Sequence, residues 1–148
     1  MTKLRWVLAE TTLVNGRWQP NYADDIGFTP SMWLERSMGR TDHQWRSYSL
    51  DGDNEVARML LTPTYSSHTH RRATRAVLLD AIEVRADMQR SGAQIGRMVI
   101  KELVDDYRNW EIYAGPTESS ALFWDKKLGW PRCDCNDCYG RDFVVWRP

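Results

Sequence analysis

The sequence predicts an α/β protein whose central sheet has mixed strand direction. Three observations carry this. Apolar runs of strand length stand near both ends of the chain, two helix-patterned segments lie between the late strands, and one stretch joins a strand directly to a helix. That stretch is Ile82 to Asp106, IEVRADMQRSGAQIGRMVIKELVDD. It passes from an apolar strand through a polar, glycine-containing turn, Ala86 to Gly96, into an amphipathic helix. Ile95, Met98, Val99, Glu102, Leu103 and Asp106 recur at helical spacing, and their apolar members form one stripe. A strand entering a helix through such a turn gathers unpaired backbone N–H groups at one place, which suits an anion, usually a phosphate. A plain strand–helix junction has the same pattern.

Taken in order, Leu4 to Thr12 reads as a first strand, and Asn15-Gly16 marks a hairpin continuing to Trp18. Thr29-Pro30 caps a short helix, Ser31 to Met38, with Met32, Trp33 and Arg36 turned inward and Gly39 as its stop. Gln44 to Leu50 alternates at period two. Asp51-Gly52 turns the chain into Val56 to Leu61, which Pro63 is expected to end before a polar loop, Thr64 to Thr74. Arg75 to Val84 is the next strand, and its continuous apolar run Ala76-Val-Leu-Leu79 predicts a central position. A helix Gly92 to Asp106 follows, then a short strand Trp110 to Ala114. A last helix is capped at Thr117 or Ser119, runs to Lys127 and ends near Gly129. Phe143 to Trp146 closes the chain as a strand. No internal repeat or boundary appears, so 1–148 is expected to be one domain.

The chain has 148 residues, is 42% apolar and carries formal net charge +0. Disorder and a strongly basic nucleic-acid coat are thereby disfavoured. A local basic patch, Arg71, Arg72 and Arg75, stands beside His68 and His70; it reads as a solvated loop or a nucleic-acid contact. No run reaches transmembrane length and the N-terminal apolar stretch is too short for a secretory signal, so a cytoplasmic protein is expected. Eight tryptophans are expected in the core or as groove walls. Cys133, Cys135 and Cys138 are spaced C-x-C-x-x-C. Three thiolates so close can hold zinc with a fourth ligand from His43, His68, His70, Asp134 or Asp137. With no second cysteine pair the signature is incomplete, and a reduced turn or one disulfide are the alternatives.

At Val84 to Gly96 the chain resembles the Gcn5-related N-acetyltransferases (GNAT). Gln89-Arg-Ser-Gly92-Ala-Gln94 is similar to the family's Gln/Arg-x-x-Gly-x-Gly/Ala signature, and Glu118-Ser-Ser-Ala121-Leu-Phe-Trp124-Asp125-Lys-Lys-Leu-Gly129-Trp130 resembles its later Asn-x-x-Ala motif. The resemblance spans nearly the whole chain and is poorest over the first forty or so residues. It implies a GNAT-like, mixed, mostly antiparallel central sheet flanked by helices. It also implies an acetyl-coenzyme A dependent transfer of an acetyl group to a primary amine of a small molecule or protein. Under it, main-chain groups of Ile82 to Val84 would meet the pantetheine arm. The loop Gln89, Arg90, Ser91, Gly92, Ala93 and Gln94 would hold the pyrophosphate, and Arg90 and Arg97 read either as added charge near the phosphates or as ordinary surface arginines, the latter favoured for Arg97. The helix dipole would contribute roughly 0.3–1 kcal/mol. Three departures stand out: Gln94 at the third signature position, Glu118 in place of asparagine, and Asp125 where a tyrosine often acts as general acid.

The carboxylates nearest the signature are Asp80 and Glu83, expected on opposite faces of their strand. Asp80 shares parity with Ile82 and Val84, which predicts apolar surroundings and a candidate base. Glu83 reads equally as a solvated charge. Tyr113, beside the cleft in this fold, is a candidate general acid or a packed core tyrosine. Two further readings compete: the same fold acting on a nucleic-acid base, and a non-catalytic binding or inhibitory protein on this scaffold. Edge strands at both chain ends are compatible with a homodimer.

Overall fold

The computed structural model describes residues 3–22, 27–33, 43–52, 54–68, 75–89, 94–115, 123–133, 135 and 143–148, with main chain only at 125–127. Strands β1 (Leu4–Leu8), β4 (Gln44–Leu50), β5 (Asn54–Ser66), β6 (Arg75–Val84), β7 (Glu111–Ala114) and β8 (Val144–Trp146) lie side by side in that order. Every neighbouring pair is antiparallel except β6 with β7, which is parallel. The edges are therefore the first and last strands of the chain. A separate hairpin pairs β2 (Thr11–Val14) with β3 (Arg17–Pro20).

Local chemistry accounts for the turns. Asn15 and Gly16 have φ of 51° and 77°, the left-handed pair that matches strand twist across a two-residue hairpin. Between β4 and β5 the loop after the Leu50↔Asn54 pair also takes positive φ, 49° at Asp51 and 119° at Gly52. Thr29 precedes α1 (Pro30–Trp33), and its carbonyl accepts the Met32 N–H at 3.0 Å. The first expected strand is divided, since Leu4–Leu8 joins the large sheet and Thr11–Val14 the hairpin. Pro63 does not end its strand. The register of β5 against β6 shifts between Thr62 and Tyr65, so the proline sits in a bulge, where no ladder N–H is required.

A short helix, α2 (Ala86–Gln89), follows β6 inside the expected polar turn. Helix α3 (Ile95–Asp106) then starts at Ile95, three residues later than its sequence pattern predicts. Ile95, Val99 and Leu103 of its stripe are buried as expected, Met98 is half-buried, and Ile100 is buried beside them. Fully burying each such side chain stabilises by about 1.5–3 kcal/mol. They pack on the sheet face formed by Val77, Leu79, Ile112 and Ala114, where Trp124 and Trp130 also lie. The last helix is represented by a π-helical segment, Phe123–Leu128, which Gly129 ends at φ 66°. The opposite sheet face carries Phe28, Trp33, Trp45, Leu60 and Ala81, and beside them Ala76, Tyr113 and Val145.

Two buried cations brace these faces. Arg46 lies 3.8 Å from the Trp6 ring and donates to Asp106 Oδ2 at 3.1 Å and Tyr48 Oη at 3.2 Å, tying β4 to the end of α3. Burial pushes the Tyr48 phenol up to about 12, with Arg46 pulling the other way. Arg58, on the opposite face, stands 4.2 Å from the Tyr22 ring and 4.1 Å from the Phe28 ring, and donates to Glu55 Oε1 at 2.8 Å.

Gly27 joins this second face to the end of β6. Its carbonyl accepts the Ala86 N–H at 2.9 Å, its φ is 85°, and a Cβ there would lie 2.5 Å from Arg85 Cγ. Substituting Gly27→Ala combines a left-handed backbone with a steric clash. It is expected to lower unfolding free energy by about 1–3 kcal/mol in urea titrations.

Candidate functional site

Among the described residues, the sheet opens between β6 and β7. β7 pairs with β6 from Ala76↔Glu111 to Leu79↔Ala114 and no further, whereas β5 follows β6 to Val84. Among the described residues, no strand pairs with the β7-facing edge of β6 from Asp80 to Val84. Arg85 N–H donates to Val56 O at 2.8 Å, toward β5. Main-chain groups alternate along a strand, so those of Val84 and Ile82 turn to the open edge.

The candidate residues of this edge divide. Asp80 breaks the expected parity. The register passes from Leu60↔Ala81 to Leu61↔Leu79, which leaves Asp80 as the extra residue of a bulge. Its surroundings are accordingly polar, and Thr62 Oγ1 donates to its Oδ2 at 2.6 Å. Asp80 thus stands at the first residue past the last β6–β7 pair. Glu83 is not a solvated charge. It accepts from Thr29 N–H at 2.8 Å, Thr29 Oγ1 at 2.6 Å and Trp33 Nε1 at 2.8 Å, and so anchors the start of α1 to the sheet. Ile82 and Val84 turn their side chains to the α3 core, leaving the main chain for the edge.

Beyond Val84, Gln89 Nε2 folds back to donate to Val84 O at 2.7 Å. Gln94 precedes α3 in the left-handed conformation, φ 58° and ψ 35°, and makes no capping side-chain hydrogen bond. This is the conformation glycine adopts most readily, at the position where the signature has glycine or alanine. Met98 N–H donates to Gln94 O at 3.0 Å, so the amides of Ile95, Gly96 and Arg97 precede the first intrahelical bond. Gly96 serves packing: a Cβ there would lie 3.0 Å from the Phe123 ring. Arg90, Ser91, Gly92 and Ala93 lie outside the described residues, as do Glu118 and the Asp125 side chain.

Tyr113 points elsewhere. It is fully buried, donates to Glu111 Oε1 at 3.1 Å and accepts the His68 N–H at 3.0 Å. Its hydroxyl thus lies toward the beginning of β7, away from the open edge. Burial raises its pKa despite the opposing bonds from Ser67 and His68. Glu111 also accepts from Ser67 Oγ, and from Arg147 Nε at 2.8 Å. Burial acts to raise its pKa, but the bonds from Ser67, Arg147 and Tyr113 prevail and hold it below its ordinary 4.5.

Cys133 and Cys135 are brought together with His68 rather than seen as a set of three cysteines; Cys138 and His70 lie outside the described residues. Of the basic patch, Arg75 is described, with its guanidinium 5.5 Å from the Trp110 ring, and Arg71 and Arg72 are not. The sequence pattern missed the Glu83 anchor and the Glu111 network, whose partners lie 54 and 44 residues away in the chain.

No protein-family model matches the chain, and no curated protein matches it in sequence. Among solved structures it is similar to the Bacillus subtilis N-acetyltransferase YlbP in complex with coenzyme A. The TM-score is 0.55 and the identity 24%, over 70% of this chain and 67% of that one. The likeness establishes the fold as the mixed, mostly antiparallel sheet flanked by helices that the resemblance implied.

Two outcomes are expected. Gln94→Gly relieves a left-handed side chain and raises stability by about 0.5–1 kcal/mol, read from chemical unfolding. Glu111, depressed when folded, contributes stability that is present above its unfolded value of 4.5 and is lost as pH falls through the folded one. Glu111→Gln therefore flattens the acid limb of the stability–pH curve below that value.

Proposed function

We propose that the chain is an acetyl-coenzyme A dependent N-acyltransferase acting on a primary amine of a small molecule or protein. The observation that carries the reading is the unpaired edge of β6 from Asp80 to Val84, lying directly ahead of the start of α3. An extended, amide-bearing arm can pair with such an edge as an added strand would. A helix start with three amides ahead of its first bond, and no capping bond from the Gln94 side chain, suits a diphosphate. The similar solved structure is itself described as an N-acetyltransferase in complex with coenzyme A.

Under this reading, main-chain groups of Ile82 and Val84 hold the arm, and Gln89 releases Val84 O to it. Amides of the loop Arg90, Ser91, Gly92 and Ala93, with Gln94, hold the diphosphate, and the exposed Arg97 adds positive charge. Acetyl-coenzyme A supplies the activated thioester. Asp80, at the point where the strands part, is the group best situated to receive the proton of the attacking amine, directly or through water. Glu83 and Tyr113 serve as anchors of α1 and of β7.

One observation favours a second reading, a non-catalytic binding protein on the same scaffold. Asp80, Glu83 and Tyr113 all have internal hydrogen-bond partners. Calorimetric titration with acetyl-coenzyme A separates the two. Saturable one-site binding is expected, and Gly92→Glu, which sets a carboxylate against the phosphates, is expected to weaken it at least tenfold, about 1.4 kcal/mol. No heat at millimolar cofactor would overturn the transferase reading in favour of the second.

A further inference from the structure

At the far end of β6 from the open edge, three soft-metal ligands converge. β5 ends at Ser66, opposite Arg75, and the chain turns through Ser67 to His68. The segment before β8 returns to the same corner. Arg132 bridges to Val144, Cys133 N–H donates to Phe143 O at 2.7 Å, and Val145 N–H donates to Pro131 O at 2.9 Å. His68 and Cys133 are 65 residues apart in sequence, yet His68 Nδ1 and Cys133 Sγ lie 3.5 Å apart. With Cys135 Sγ they form a trio whose ligand atoms all fall within 4.8 Å of one another. Both cysteines carry thiols rather than a disulfide and are only partly exposed.

We infer that His68 Nδ1, Cys133 Sγ and Cys135 Sγ form a zinc site that pins the corner after β5 to the entry of β8. Bond lengths of about 2.3 Å for Zn–S and about 2.0 Å for Zn–N at tetrahedral angles put nitrogen and sulfur about 3.5 Å apart. The observed separation is 3.5 Å. An S,S,N donor set is soft and matches zinc rather than calcium or magnesium. Water or one further ligand completes the tetrahedron.

The imidazole is held for this role before any ion arrives. Its Nε2 lies 2.6 Å from Tyr65 Oη. With Nδ1 as ligand, the ring proton sits on Nε2 and donates to that phenol, the outer partner that metal-bound histidines usually have. The ring packs on Tyr113 with centroids 4.2 Å apart and meets Phe143 edge-on at 5.2 Å. The His68 main chain is fixed in turn by the Tyr113–Glu111–Arg147 chain.

Binding displaces the two thiol protons to solvent and changes no oxidation state. Residues 76 to 84 of β6 separate this corner from the α3 start by about 25 Å, so the ion is structural and independent of the acyltransferase reading.

The test uses the full chain, purified reduced, stripped with chelator and titrated with Zn²⁺ alone. One zinc per chain is expected, with protection of two thiols from a colorimetric thiol reagent and an upward shift in thermal midpoint. Cobalt(II) in its place is expected to give thiolate charge-transfer and tetrahedral d–d bands. His68→Ala and Cys135→Ser, each checked for folding by circular dichroism, are expected to lose at least tenfold in zinc affinity. Zinc uptake unchanged in both variants overturns the site. So do wild-type thiols that Zn²⁺ leaves fully reactive.

Discussion

The architecture depends on an asymmetry in the hydrogen bonding of one strand. Among the described residues, β6 is paired with β5 from Arg75 to Val84 and with β7 only from Ala76 to Leu79. A main-chain N–H or C=O left unsatisfied in a buried place costs about 1–3 kcal/mol. The protein meets that cost in two ways. Gln89 covers the Val84 carbonyl with its own side chain, and the rest of the edge lies at the opening between β6 and β7. The bulge at Asp80 falls at this same point. It changes which residues face each side of the sheet just where the second partner strand is lost. The geometry that frees the edge therefore also turns a carboxylate toward Thr62 instead of into the apolar layer.

Around this edge the two sheet faces are stiffened by different means. One is a hydrocarbon layer between α3 and the sheet, closed at its border by Arg46 between Trp6 and Asp106. The other is aromatic: Tyr22, Trp33 and Trp45 meet edge to face, and Arg58 lies over Tyr22 and Phe28. A cation over an aromatic face contributes about 0.5–2 kcal/mol, more when desolvated. Glu83 connects that aromatic layer to β6, because its carboxylate receives both the α1 start and the Trp33 indole. The tryptophans are accordingly walls and core; Trp33, Trp45, Trp124 and Trp130 are buried, and the other four are partly so.

Much of the fold was legible in residue order. Arg75–Val84 appears as a strand with the bounds its pattern predicts, because a continuous apolar run ended by a polar turn has few alternatives. The two left-handed hairpin turns and the α3 stripe were equally plain, being set by contacts within a few residues. Pro63 misled because a proline ends a strand only where its N–H is needed, and the bulge removed that need. The site was legible in outline only. The open edge of β6 follows from where β7 stops, which no local pattern records.

What the amino-acid sequence determined by itself is the set of elements: turn chemistry, apolar period and capping act over a few residues and are written in the chain. What the tertiary structure alone decided is which side chains meet. Asp80 leaves the apolar layer for Thr62, Glu83 becomes an anchor 54 residues from its partner Thr29, and His68 arrives beside Cys133. Such encounters arise from strand register and bulges, each residue of which reverses the facing of all that follow, so a reading by alternation loses the side chains while it keeps the strands.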